Sequence, residues 1–416
     1  MAANKDLVER SGDLKRELVD YAMQRRFDRA VSDALERRFG QTPVIDEADL
    51  ADFMDWFILQ ERLPDSRTVV ERFVADHPKL PEEDRAMLLG WRDVVEGIFE
   101  VKGRDGEALI VVNLVDELTY RVRSNMGPAV FTRMPPRSFL TGRLVPIGDE
   151  WLLSGVSNLL PRASRTEVYR MTAELAMQFP SLVFRNPEKL EQAWEMQREQ
   201  RQLFIDFFGR DLVVLPGHEV VARMQAQTNY AMFEAPDAEG KSAADRFREA
   251  HGVAPPPLEV ELPPELLAAD TVGLIYDEIE GLNFYPDFGL LEETFADPTL
   301  AAEAEHREAV LGFLHEPSIS PLPFHRLAEQ DPARASQVFQ RVLKRPRFSW
   351  ERDGEALLRK HKASYYEHPV LPSVMPMSES LSRALMTAPE PDRPGPGWRQ
   401  GRQQKSGVRG KRRRSR

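Results

Sequence analysis

Over the first forty residues, apolar side chains recur at helical spacing. Leu7, Leu14, Leu18, Ala22, Val31 and Leu35 share one face, and neither Pro nor Gly interrupts between Gly12 and Gly40. The pattern predicts one long helix over 5–39. Shorter helices are expected over 50–60, carrying Phe53, Trp56 and Phe57, and over 66–75. Another is expected after Pro81, where Glu82, Glu83 and Asp84 suit the positive end of a helix dipole.

The period then drops to two. Phe99 and Val101 alternate with charged neighbours up to Gly103-Arg104-Asp105-Gly106, a turn sequence. Ala108, Ile110 and Val112 would share one face, and Leu118, Tyr120 and Val122 alternate with Thr119, Arg121 and Arg123. Leu140, Leu144 and Trp151-Leu152-Leu153 flank a Gly148-Asp149 turn. These five short strands are expected to close into a small SH3-like or OB-like barrel, because closure removes exposed edges.

Helical signals return beyond 161. Ser164 with Glu167 reads as a capping box. Asn186-Pro187, Asp297-Pro298, Ser320-Pro321 and Asp331-Pro332 each set a capping side chain before a proline suited to a first helical turn. Leu190, Ala193, Trp194, Phe204 and Phe207 form one apolar stripe; Ala335, Val338, Phe339, Val342 and Leu343 form another. Between them, residues 235–264 are rich in Pro, Ala, Asp and Glu, a composition that buries too little apolar surface to order itself. The fold expected is therefore mainly α with a small β-module, an α+β class. Its regions are a helical 1–94, the β-module at 95–161, a helical 162–234, a linker at 235–264, a helical 265–386 and a disordered basic tail at 387–416.

Composition narrows the chemistry. The 416 residues are 42% hydrophobic and 30% charged, an ordinary globular balance. There is no cysteine, which excludes disulfides, thiolate metal sites and cysteine nucleophiles and suits a reducing compartment. No apolar run reaches membrane-spanning length and no signal-peptide pattern precedes the first helix, so a cytoplasmic location is expected. Charge is unevenly placed. After Asp392 come ten cations and no acid, so a total of −11 is +10 on the tail and −21 on the rest. Arg399, Arg402, Lys405, Arg409, Lys411, Arg412, Arg413, Arg414 and Arg416 are the candidate nucleic-acid contacts, RNA before DNA.

Three other patterns bear on function. Residues 235–242, with Gly240-Lys241-Ser242, loosely fit a phosphate loop, and Gly273 to Glu278, which reads as an apolar strand ending in the acids Asp277-Glu278, could supply its acidic partner. Asp237 and Glu239 would oppose bound phosphate, and Pro236 removes one donor, so a linker is the preferred reading. His306, His315 and His325, with Glu305, Glu308 and Glu316 nearby, could hold a metal, although no compact ligand spacing links them. Phe348 to Gly354, followed by Lys360, His361, Lys362, Tyr365 and Tyr366, interleaves aromatic and basic residues. Such interleaving suits base stacking or, preferably here, core aromatics beside a solvated face.

Asp55-Trp56-Phe57, Leu63-Pro64-Asp65, Arg67-Thr68, Trp91, Phe99-Glu100-Val101 and Leu118-Thr119-Tyr120-Arg121-Val122 together resemble a group of uncharacterised bacterial proteins, many of which end in a SEC-C motif. The resemblance spans about 50–161. It implies a bacterial cytoplasmic protein with a helical segment feeding a small β-module, and no established activity. The cysteine-containing knuckle of that motif is absent, and the basic tail stands in its place. The function expected is a binding or adaptor role without a cofactor, contacting nucleic acid or a protein. A nucleotide hydrolase built on Lys241 and Asp277, or a metal-dependent hydrolase using His306, His315 and His325, remain as enzymatic alternatives.

Overall fold

The computed structural model describes residues 2–40, 46–160, 165–367, 369–378 and 381–383. The Ser164 cap and the whole arginine-rich stretch, Arg399 to Arg416, lie outside them. The chain divides into two compact units. Met1–Lys189 makes up most of the first and Leu190–Pro376 the second, so the division falls inside a helix rather than in the expected linker.

The first unit begins with α1 (Ala2–Ala22) and α2 (Asp28–Phe39), followed by α3 (Glu47–Leu59), α4 (Val69–Asp76) and α5 (Glu82–Gly90). The single helix expected over 5–39 is broken at 23–27. Burial explains the break: Phe27 is 1% exposed and its ring lies 5.3 Å from that of Tyr21. A straight helix would carry Phe27 past the core that the turn lets it enter. Leu14, Leu18, Phe53, Phe57, Val70 and Trp91 fill that core. The five strands are β1 (Val95–Asp105), β2 (Ala108–Asn113), β3 (Thr119–Arg123), β4 (Phe139–Ile147) and β5 (Glu150–Leu160). Their pairings run β1-β2-β3-β5-β4 and return to β1, a closed barrel. All pairs are antiparallel except a short parallel contact of β3 with β5 at Val122–Trp151 and Arg123–Leu152. On β2 the inward residues are Leu109 and Val111, not Ile110 and Val112. With apolar residues at four consecutive positions, alternation alone could not choose the face.

Buried charge ties helices to this sheet. Arg143 on β4, 2% exposed, reaches Asp52 (2.5 Å) and Glu96 (3.1 Å). Asp55 on α3 accepts from Lys15 Nζ (2.5 Å) and from Ser154 Oγ (2.8 Å). Gly155, at φ +65°, leaves the room that Asp55 occupies; a Cβ there would stand 2.8 Å from its carboxylate. α6 (Arg165–Gln178) and α7 (Pro180–Val183) follow.

The second unit takes up α8 (Pro187–Phe208), which starts in the first, and continues through α9 (Val220–Asn229), α10 (Ala243–His251) and α11 (Pro264–Ala268). Its later helices are α12 (Phe288–Ala296), α13 (Ala304–His315), α14 (Leu322–Gln330), α15 (Pro332–Val342), α16 (Trp350–His361) and α17 (Ala363–Glu367). Contrary to the helical expectation for 162–234 and 265–386, three strands lie among them: β6 (Leu212–Pro216), β7 (Thr271–Asp277) and β8 (Gly281–Pro286), antiparallel in that order. Both faces of this sheet are covered. Val213, Val272 and Leu274 pack with Phe204, Val220 and Leu266, while Leu212, Ile275 and Tyr285 pack with Phe288, Phe313 and Phe339. A strand buried on both sides loses its period of two, which is why only the apolar run at 273–278, within and just after β7, read as a strand. The expected linker is partly ordered as well. Ser242 and Asp245 form a reciprocal capping box that starts α10, and Gln225 of α9 bonds Leu258 O and Val260 N–H.

Candidate functional site

The chemistry of the second unit concentrates where α15 ends and α16 begins. Asp331 starts α15 by accepting from Ala333 N–H (3.1 Å) and Arg334 N–H (3.0 Å). Its far end closes as a Schellman turn: Lys344 N–H donates to Arg341 O and Arg345 N–H to Gln340 O. Lys344 takes the left-handed position at φ +55°, where glycine is usual. The following loop is clamped. Phe348 N–H donates to Arg345 O (3.0 Å), Gln340 Nε2 donates to Phe348 O (2.8 Å), and Phe348 itself is 5% exposed. Asp353 accepts from Ser349 N–H at the start of α16, and Trp350 stacks on Phe339 at 5.2 Å.

Between this loop, α16 and the end of α13 lies an open cleft of about 1010 Å³. Leu311, Leu343 and Leu357 give it an apolar floor. Its rim carries Lys344, Arg345, Arg347, Arg352 and Lys360, against one acid, Asp353. Asp353 is paired with Arg352 at 2.7 Å and sits near pKa 2, held down first by that arginine and then by Ser349 N–H. Among the described residues, the side chains of Lys344, Arg345, Arg347 and Lys360 have no ion-pair or hydrogen-bond partner. In a chain of net charge −11, four exposed cations that form no ion pair with a described acid, gathered on one rim, make a local field opposite to that of the whole.

Two imidazoles close one side. His315, the last residue of α13, and His361, the last of α16, have ring centroids 4.9 Å apart. Burial, and then the fields of His315, Lys360, Lys362 and Arg345, hold His361 below the ordinary imidazole pKa. Behind it, Lys362 is 1% exposed and donates from Nζ to Glu316 O. Desolvation lowers its pKa to about 8.

The aromatic residues of the same segment serve the core. Trp350 and Phe348 pack on Phe339, Tyr365 donates to Glu280 (2.9 Å), and Tyr366 bonds Glu355 with Arg359 over its ring. Phe348 and the cations thus divide the segment between a buried and a solvated face. The Lys344-Arg345-Pro346-Arg347 run was the one available signal of a cleft here, a cluster of cations directly behind a strongly amphipathic helix.

The other sequence candidates are not brought together. Asp237 turns its carboxylate onto Glu239 N–H (2.7 Å) and Lys241 N–H (3.1 Å), taking donors that a phosphate loop would offer its ligand. Lys241 pairs with Glu249 (2.8 Å), and Asp277 accepts from Ile279 and Glu280 N–H within its own turn. The three histidines part company: His306 meets Glu293 (3.2 Å), His325 meets Glu355 (3.8 Å), and His315 meets His361. Among the described residues there is no group of three or more His, Cys, Asp or Glu arranged to hold a metal, and no helix is long and apolar enough to cross a membrane.

Comparison of the chain with family models, with curated proteins and with solved structures found no match.

Proposed function

We propose that this is a binding protein for a single-stranded polyanion, RNA in preference to DNA, acting without a cofactor. The observation that carries the reading is the rim of Lys344, Arg345, Arg347 and Lys360, cations with no ion-pair or hydrogen-bond partner among the described residues, over an apolar floor. Their charges are left to solvent, where they release counterions from a phosphate backbone on contact. A cleft of about 1010 Å³ is of a size for a few nucleotides rather than a duplex. The stretch from Arg399 to Arg416 supplies further phosphate contacts in this reading and extends the footprint along the strand. The β-module, taken as SH3-like or OB-like, is then an interaction module by analogy of fold. The resemblance of 50–161 to SEC-C-associated bacterial proteins agrees with a bacterial, cytoplasmic setting.

The test is a fluorescence-anisotropy titration of labelled single-stranded RNA and DNA at two salt concentrations. Three proteins are compared: the full chain, a chain ending at Asp392, and full-length Arg345→Glu/Arg347→Glu. The expected result is salt-sensitive binding by the full chain, with RNA ahead of DNA and separate losses from truncation and from charge reversal. Absence of binding by the full chain at low salt would sink the proposal.

A further inference from the structure

We infer that the His315–His361 pair makes anion binding in the cleft proton-linked, so that the cleft holds a polyanion more tightly in mild acid than at neutral pH. The inference rests on the cleft being the anion site proposed above. Its basis is the position of His361. The ring lies at the cleft wall, against His315, at the point where α13 and α16 both end. The C-terminal ends of two helices favour a cation there through their dipoles. In the empty cleft that preference is opposed. From α13, His315 and Glu316 face this corner; from the loop, Lys344, Arg345 and Arg347; from α16 and its end, Arg352, Asp353, Lys360 and Lys362. Cations outnumber acids, and the two acids are engaged, Asp353 with Arg352 and Glu316 with Ser318.

An anion seated on the rim reverses the balance. It neutralises the field of Arg345 and Lys360, supplies an acceptor for an imidazolium N–H, and leaves the helix ends to favour the proton. The sign follows. His361 starts with its pKa below the ordinary imidazole value. The bound anion raises it, so protons are taken up on binding and affinity rises as pH falls. An anion that lifts one imidazole by about one pH unit tightens about tenfold across the transition.

The test uses the full chain and an oligouridylate lacking a terminal phosphate, whose diesters and bases do not titrate in this range. Affinity is measured by anisotropy at about pH 5.5 and about pH 7.5, and proton uptake by calorimetry in two buffers of different ionisation enthalpy. The expected result is about fivefold tighter binding at the lower pH, part of the full transition, with net proton uptake. His361→Gln should flatten most of that dependence. The calorimetry on the unmodified protein stands even if that variant folds poorly. Equal affinity at both pH values with no proton uptake, or an unchanged pH slope in a folded His361→Gln, would overturn the inference and leave the proposed function standing. No binding at either pH would remove the polyanion reading itself.

Discussion

Lys344 carries two consequences that point in opposite directions. A non-glycine residue in the left-handed position costs roughly 1 kcal/mol, and nothing in its packing repays it, because the side chain is exposed and without a partner. Lys344→Gly should therefore raise unfolding stability by about 0.5–1 kcal/mol in urea titrations. The same change should weaken polyanion binding severalfold by removing one rim charge. A lysine of only structural importance would give neither result: stability would fall and binding would follow it. At the same scale, Asp237 shows why a loop pattern is not a site. Arg246 and two backbone N–H groups hold its carboxylate near pKa 2, so the charge that fills the would-be phosphate cradle persists at every working pH.

Among the elements, the contact of α12 with β7 determines whether the later helices can be placed at all. A Cβ on Gly273 would stand 2.4 Å from Phe288, closer than any real contact. Gly273→Ala should cost about 1–3 kcal/mol by overpacking, and Phe288→Leu in the same chain should recover part of it, since neighbouring sites are not additive. Thermal melts of the two single variants and the double variant form the cycle that checks this. If Gly273→Ala were neutral alone, the close approach would be unimportant. The break between α1 and α2 belongs here too. It has no Pro or Gly to mark it, and it exists because Phe27 gains more from the core beside Tyr21 than the helix loses in hydrogen bonds.

For the whole molecule, the opposed charges of body and rim make salt the informative variable. Each phosphate contact on a single strand contributes a slope of about −0.7 in log affinity against log salt. Reversing Arg345 and Arg347 should lower that slope by at least about 1.4, while a surface pair of the same unit that does not line the cleft, such as Arg248 with Asp245, should leave it unchanged when neutralised. A uniform fall in affinity with no change of slope would mean that the arginines shape the loop rather than touch phosphate.

Much of the local structure was legible in the residues themselves. Three of the proline-marked caps work as written, Asn186 accepting from Glu188 N–H, Asp297 from Thr299 and Asp331 from two donors; at Ser320-Pro321 the helix starts one residue later, at Leu322, whose N–H donates to Ser320. In the β-module β3 follows its alternation, with one buried and one wetter face, whereas β1 is buried on both faces over 97–101. Caps, turns and alternation are decided within a few residues, so sequence carries them. Of the sheet β6-β7-β8 only the apolar run at 273–278 was legible as a strand; its pairing was not, because β6 lies 55 or more residues away and both faces are covered, which erases the period of two. The candidate cleft was half legible. The run Lys344 to Arg347 stands in the sequence, but His315 meets His361 only through the packing of α13 against α16, and only that packing gathers Lys360 onto the same rim as the run. Charge is a property of residues, whereas a field is a property of where they are held; the sequence by itself determined the first, and the tertiary structure decided the second.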